Sequence, residues 1–254
     1  MILMYNGKLI RLPPKGRLIV VSDLHGNHKD YRSYLDLWDS SDDDCHIVFI
    51  GDLIHSSFEP DGSLEILDDA IIKSKKYPNF HVLLGNHEWA HITCTDIYRN
   101  EKNQIASFEE LVRTGKGSLQ PSLDNYIGFF KSLPFFLKTD NGVFISHAGP
   151  SRNICSIDDF NHVFDDYEND LLDDFLWNRY GNDYTSKDVS KFLRIIESNC
   201  MVIGHNNVNG YELLGKQLII SSSFMTSTKT YLDIDLSKNI ENIRDLMEFL
   251  EFLK

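Results

Sequence analysis

Cysteine is scarce and unpaired in this 254-residue sequence. Cys45, Cys94, Cys155 and Cys200 are widely spaced and form no CxxC pair, which excludes a disulfide frame and a thiolate zinc site. Free thiols in a reducing compartment, the cytoplasm, are the expectation. Long hydrophobic runs are also missing, so no membrane span is expected. The start, MILMYNGKLIRLPPKGR, lacks the basic-then-apolar layout of a signal peptide. Basic charge is in deficit: 25 Lys and Arg against 38 Asp and Glu give a net charge of −13. Sequence-independent binding to a nucleic-acid polymer needs a basic face and is therefore excluded. Small phosphate esters are not, provided that bound metal ions supply positive charge locally.

What is present is ordinary globular composition, 42% hydrophobic and 25% charged, with no internal repeat, low-complexity tract or linker. A single domain over 1–254 is expected. Seven short β-branched or aromatic runs read as buried strands: RLIVVSD (17–23), HIVFIGD (46–52), FHVLLGN (80–86), GVFISHAG (142–149), CMVIGH (200–205), KQLIISS (216–222) and TKTYLDIDL (228–236). Helical patterns lie between the early ones, over 28–38 and over 63–76, the latter with Asp61 or Ser63 as N-cap and Tyr77-Pro78 as its stop. The segment from about 90 to 135 reads as mostly helical with a Gly-rich break at TGKGS. The whole is an α/β pattern with one mixed sheet or two packed sheets. The acidic stretch 158–174 reads as a solvated helix and loop. In the tail, Ile243, Leu246, Met247, Leu250 and Leu253 recur at helical spacing, which predicts a helix over about 240–253 packed on the body of the domain.

Five of the seven strands finish in a residue able to bind a metal. The first gives Asp23 and then His25, the second Asp52, the third Asn86-His87, the fourth His147 and the fifth His205. One histidine at a strand end is an ordinary surface residue, and Gly-Asp or Gly-Asn is an ordinary turn. A turn does not explain imidazoles at three strand ends. The carboxyl ends of strands in an α/β sheet lie together, so these residues can converge. Asp23, His25, Asp52, Asn86, His147 and His205 offer mixed oxygen and nitrogen donors, suited to manganese, iron or zinc and too nitrogen-rich for a calcium cage. His28, His46, His81, His91 and His162 are read as structural or exposed.

SDLHG (22–26), GDLIH (51–55), GNHE (85–88), SHAG (146–149) and GHNNVNGYE (204–212) resemble, in order, the motifs of the phosphoprotein phosphatase branch of the calcineurin-like metallophosphoesterases, over about residues 17–235. Other branches often end in Gly-His-x-His, whereas here the second position is Asn207. The resemblance implies a calcineurin-like metallophosphoesterase fold, two packed mixed sheets flanked by helices. It implies two divalent ions, manganese first, with iron, zinc or magnesium as alternatives. Asp23, His25 and Asp52 would hold one, and Asp52, Asn86, His147 and His205 the other, with Asp52 bridging. A bridging water, acidified by both ions, would attack phosphorus in line as hydroxide. His87 would protonate the leaving alkoxide. Asn86 is then a neutral ligand that keeps the centre cationic enough for phosphate.

The pattern breaks after Asp52. The family motif continues to an Asp that orients the catalytic histidine and an Arg that grips phosphate; here His55 and Ser56 hold those positions, within GDLIHSSFEPDGSLEIL. Asp61 is a candidate replacement for the carboxylate, and no arginine is near in sequence. Arg179, in FLWNRY, resembles a Trp-x-Arg of some bacterial and phage members and is either a phosphate clamp or a surface residue stacked on an aromatic. The expected substrate is phosphoserine or phosphothreonine in proteins. The alternatives are a dinucleoside polyphosphate or another nucleotide, or a small phosphoester more generally as partner, and, in a different class, a non-catalytic binding protein.

Overall fold

The computed structural model describes residues 7–56 and 58–254; residues 1–6, part of the start read as lacking a signal-peptide layout, and Ser57 of the loop after Ile54 lie outside them. The first half runs β1 (Leu9–Leu12), β2 (Arg17–Val21), α1 (His28–Leu35), β3 (Cys45–Phe49), α2 (Ser63–Lys76), β4 (Phe80–Val82), α3 (Asn86–Thr93), β5 (Tyr98–Arg99), β6 (Lys102–Asn103), α4 (Gln104–Lys116) and α5 (Leu119–Ser132). The second half runs β7 (Phe136–Thr139), β8 (Val143–Ile145), α6 (Ile157–His162), α7 (Asp170–Trp177), α8 (Ser186–Ile195), β9 (Cys200–Ile203), β10 (Tyr211–Leu214), β11 (Gln217–Ile220), β12 (Thr230–Asp235), α9 (Ile243–Met247) and β13 (Leu250–Phe252).

Two mixed sheets result, one ordered β1-β7-β8-β9-β11-β10 and the other β13-β12-β2-β3-β4. β2 shows why the apolar runs are continuous. Leu18 and Val20 face a cluster that also takes Val48, Leu137, Val202 and Leu218, so it lies between the sheets, while Ile19 and Val21 join the cluster under the helices. A strand covered on both faces cannot alternate with polar residues. Each fully buried Val, Leu or Ile contributes about 1.5–3 kcal/mol.

β2, β3 and β4 are parallel neighbours, and so are β8, β9 and β11. Their carboxyl ends therefore gather at one edge in each sheet. α2 starts after Gly62, with the Ser63 N–H donating to Asp61 Oδ1 at 2.9 Å, and stops at Tyr77, extended before Pro78. In the acidic stretch, Asp158, Asp165, Asp166, Glu168 and Asp170 are exposed, as a solvated face requires. The four cysteines are free. No helix among the described residues is long and apolar enough to cross a membrane.

The tail corrects the sequence reading. Instead of one helix over 240–253, α9 ends at Met247 and β13 pairs antiparallel with β12, Leu250 opposite Leu232 and Phe252 opposite Thr230. The apolar stripe still packs on the core. The edge of β12 offers a ladder of backbone partners, and that outweighs continuation of the helix.

Within the segment read as mostly helical, β5 and β6 form a small hairpin closed by Asn100 and Glu101, with φ of 49° and 64°. A two-residue loop with positive φ at both positions is the type I′ turn, whose favoured second residue is glycine. Replacing the exposed Glu101 with glycine is expected to stabilise the protein by about 0.5–1 kcal/mol. The check is a higher urea midpoint with an unchanged m value.

Candidate metal centre

The centre is built on the contact between two strand-end turns. Gly51, at φ 101°, follows β3, and Gly85 follows β4; a Cβ at Gly51 would lie 2.5 Å from Gly85 Cα, and one at Gly85 only 2.4 Å from both Asp52 N and Asp52 Oδ1. Only glycines allow the turns to meet. The buried Glu88 carboxylate seals them: Oε2 accepts the Asp52 N–H at 2.9 Å and the Gly85 N–H at 3.2 Å, and Oε1 accepts the Leu53 N–H at 2.8 Å. At the first turn of α3, the His87 N–H donates to Asp52 Oδ1 at 3.1 Å. The positive end of the helix thus faces the Asp52 carboxylate.

All six expected donors are buried at this edge. His25 Nδ1 lies 2.9 Å from the Ile54 carbonyl, and His147 Nδ1 lies 2.9 Å from the Ile50 carbonyl. A carbonyl only accepts, so both protons sit on Nδ1 and both Nε2 atoms present lone pairs. Those lone pairs converge on Asp52 Oδ2, each at 3.5 Å. His147 Nε2 is also 2.8 Å from Asn86 Oδ1 and 3.2 Å from His205 Nδ1, and the last two atoms are 3.1 Å apart. At most one hydrogen can lie among these three atoms. Such a crowd of acceptors fits a cation. Burial keeps the imidazoles neutral and able to ligate, drawing His25 down to about 4, lowering His147 and holding His205 well below its ordinary range. Burial, then the Asp23 and Glu88 charges, push Asp52 well up, so the carboxylates need positive charge beside them.

Two clusters of His and Asp have donor atoms close enough to share an ion: Asp52, His147 and His205, and Asp52, His25 and His87. The second takes in His87 where Asp23 was expected. Asp23 lies against the 204–205 turn, with Oδ2 3.0 Å and Oδ1 3.2 Å from the His205 N it accepts from; a Cβ on Gly204 would come within 2.2 Å of Oδ2. A carboxylate that accepts one N–H retains lone pairs for a cation.

His87 Nε2 is 3.9 Å from Asp52 Oδ2, and its Nδ1 meets His55 Nδ1 at 2.5 Å. His55 Nε2 in turn meets His91 Nε2 at 2.9 Å. His87 and His91 share one face of α3 by their i, i+4 spacing, so a single imidazole bridges both. This corrects the expectation for Asp61, which is engaged with the Ser63 N–H at the start of α2; the group beside His87 is His55. The i, i+4 histidines of NHEWAHIT were the available signal. Among the other histidines, His46 and His81 stack as a pair at 5.3 Å, His162 pairs with Asp165 on the surface, and His28 is exposed. Arg179 lies just past α7 and faces the cavity, its Nη1 donating to the His205 carbonyl at 3.1 Å. Arg99, which the sequence reading missed, enters from β5. The cavity over the centre measures about 480 Å³ and is walled by Trp177 and Phe224 as well as the polar groups.

The sequence profile of the calcineurin-like phosphoesterases matches residues 16–218. The chain belongs to that family. A serine/threonine-protein phosphatase of Caenorhabditis elegans is 25% identical over 225 residues, 80% of this chain and 46% of its own length, so the chain spans about half of that relative. A protein serine/threonine phosphatase of Saccharomyces cerevisiae superposes with a TM-score of 0.76 at 16% identity, over 99% of this chain and 85% of the other. A cold-active protein-tyrosine phosphatase of a Shewanella species superposes with a TM-score of 0.65 at 19% identity, over 98% and 84%. The calcineurin-like metallophosphoesterase family read from the motifs is borne out. The low-identity superpositions bear on the fold of this phosphoesterase alone.

Two outcomes follow from this geometry. Gly85→Ala is expected to destabilise the protein by about 2–4 kcal/mol through backbone clash at Asp52 and to lower bound metal, read by urea denaturation and elemental analysis. Burial draws the His91 imidazole down to about 4. The unfolded chain takes that proton near pH 6.5, so stability held above 6.5 is lost as pH falls from 6.5 towards 4, by about 3 kcal/mol for this group. Urea midpoints of the metal-stripped protein at pH 7 and 4.5 check the slope, which His91→Gln should reduce.

Proposed function

We propose that this phosphoesterase is a phosphatase acting on phosphoserine and phosphothreonine in proteins, in the reducing cytoplasm, with two divalent ions, manganese first. The observation that carries the reading is the convergence of lone pairs from His25, His147 and Asn86 beside the Asp52 carboxylate. Asp23, His25 and Asp52 would hold one ion, and Asp52, Asn86, His147 and His205 the other. When bound, the ions supply Lewis acidity and an ionised water as nucleophile. The protein's own groups do the rest. Arg179 faces the cavity from the His205 side and is placed to hold a phosphoryl oxygen.

His87 serves the leaving oxygen. The three-imidazole chain has a self-consistent arrangement in which His91 Nε2–H donates to His55 and His55 Nδ1–H donates to His87. The His87 proton then sits on Nε2, on the side of Asp52 and the cavity. Burial holds His87 well below its ordinary range, and its Nδ1 meets the His55 imidazole where the family motif places a carboxylate. Poor leaving groups should therefore be hydrolysed slowly. His55→Asp, which restores the motif's carboxylate at a position whose φ of 65° Asp tolerates, is expected to raise alkyl-phosphate turnover relative to aryl-phosphate turnover by about tenfold.

The deciding experiment is phosphate release by chelator-stripped protein, with and without manganese, on a phosphothreonine peptide and a dinucleoside tetraphosphate side by side. Peptide turnover that requires metal is expected, and His87→Ala should lower it about 10²- to 10³-fold. Turnover of the nucleotide alone would replace this reading with a nucleotide phosphohydrolase. Turnover of neither, or turnover unaffected by Asp52→Asn, would leave the non-catalytic reading.

A further inference from the structure

Ser56 stands where the family motif carries its first phosphate-gripping arginine, yet a guanidinium reaches the same place from elsewhere in the chain. Arg99 is the last residue of β5 and lines the cavity together with His25, Asp52, His87 and Arg179. Its Nη1 donates to the carbonyl of His55 at 3.0 Å, so it is anchored on the residue immediately before Ser56. Its Cζ lies over the Phe224 ring, 4.5 Å from the centroid, a cation–π contact. Arg179 is tethered in the same way to the carbonyl of His205. The two guanidinium groups are thus tethered to the backbone of two different turns of the centre, Arg99 to the one after β3 and Arg179 to the one after β9.

The electrostatics agree with this placement. Burial lowers the Arg99 pKa, and the Asp52 and Asp23 charges oppose that. Arg99 in turn helps to lower His25, His55 and His87, whose principal cause is burial.

We propose that Arg99, carried on the β5–β6 hairpin, is a phosphate-binding residue that replaces the arginine absent at position 56 and grips the phosphoryl group opposite Arg179. The assignment rests on the phosphatase reading for its substrate, a phosphate monoester dianion. Its geometry concerns the anion alone, so it can be tested by binding as well as turnover.

The test is isothermal titration of manganese-loaded protein with inorganic phosphate, alongside kcat and KM on the phosphothreonine peptide. Arg99→Ala is expected to weaken phosphate binding about ten- to a hundredfold and to raise KM more than it lowers kcat, with metal content unchanged. Arg113→Ala, which removes an exposed charge paired with Glu110 on α4, controls for net charge and should bind as wild type. Arg99→Lys keeps the charge and the stem but loses the fork, so it tests the role if the alanine variant does not fold; about three- to tenfold weaker binding is expected. Wild-type phosphate affinity in Arg99→Ala, or in Arg99→Lys, would overturn the assignment and make Arg99 a prop for the His55 loop. If the wild-type protein binds phosphate but hydrolyses no ester, the phosphatase reading fails, and the titrations still decide the role of Arg99.

Discussion

The meeting of the Gly51-Asp52 and Gly85-Asn86 turns is the constraint on which the centre depends. Two backbones cross where a single methyl group on either would collide, and Glu88 holds them by accepting three N–H groups in the dry interior. That contact sets Asp52 at the amino end of α3, places Asn86 beside His147, and starts the helix that carries His87 and His91. The glycines and the glutamate of GDLIH and GNHE are thus the mould, while the Asp, Asn and His are what the mould presents.

Much of this was legible because it depends on strands. All seven runs read from the sequence contain a strand, since segments buried on both faces must be apolar throughout. The six donors were legible because parallel strands bring their carboxyl ends to one edge. β5, β6 and β13 were not, because their residues are exposed or half-buried and carry no apolar run. The tail misled for a related reason: Leu250 has helical spacing from Ile243 and Leu246, and only the edge of β12 decides that it extends instead. The partners of His87 and the anchor of Arg99 are contacts across 32 and 44 residues of sequence, which no local spacing records.

The departure from the family motif therefore reads differently in three dimensions. In sequence it is the loss of an Asp-Arg pair. In the fold, His55 keeps the place beside His87 and is itself backed by His91 and Phe108, while its carbonyl anchors Arg99. The site exchanges a carboxylate partner for a neutral one, and one fewer buried anion stands near Asp52.

His25, Asp52, His55 and His205 all hold the left-handed backbone conformation, with φ between 44° and 65°. For residues other than glycine this costs about 1–2 kcal/mol each, and it is this turn that aims each side chain out of its strand. The fold thus carries both left-handed backbone and crowded lone pairs at one edge. Anything that binds there and not to the unfolded chain stabilises the fold by mass action. On that footing the chain's resistance to cellular proteases, and with it its steady-state abundance, tracks the supply of its ion. Metal scarcity would then act on how much of the protein exists, beyond how fast each copy works.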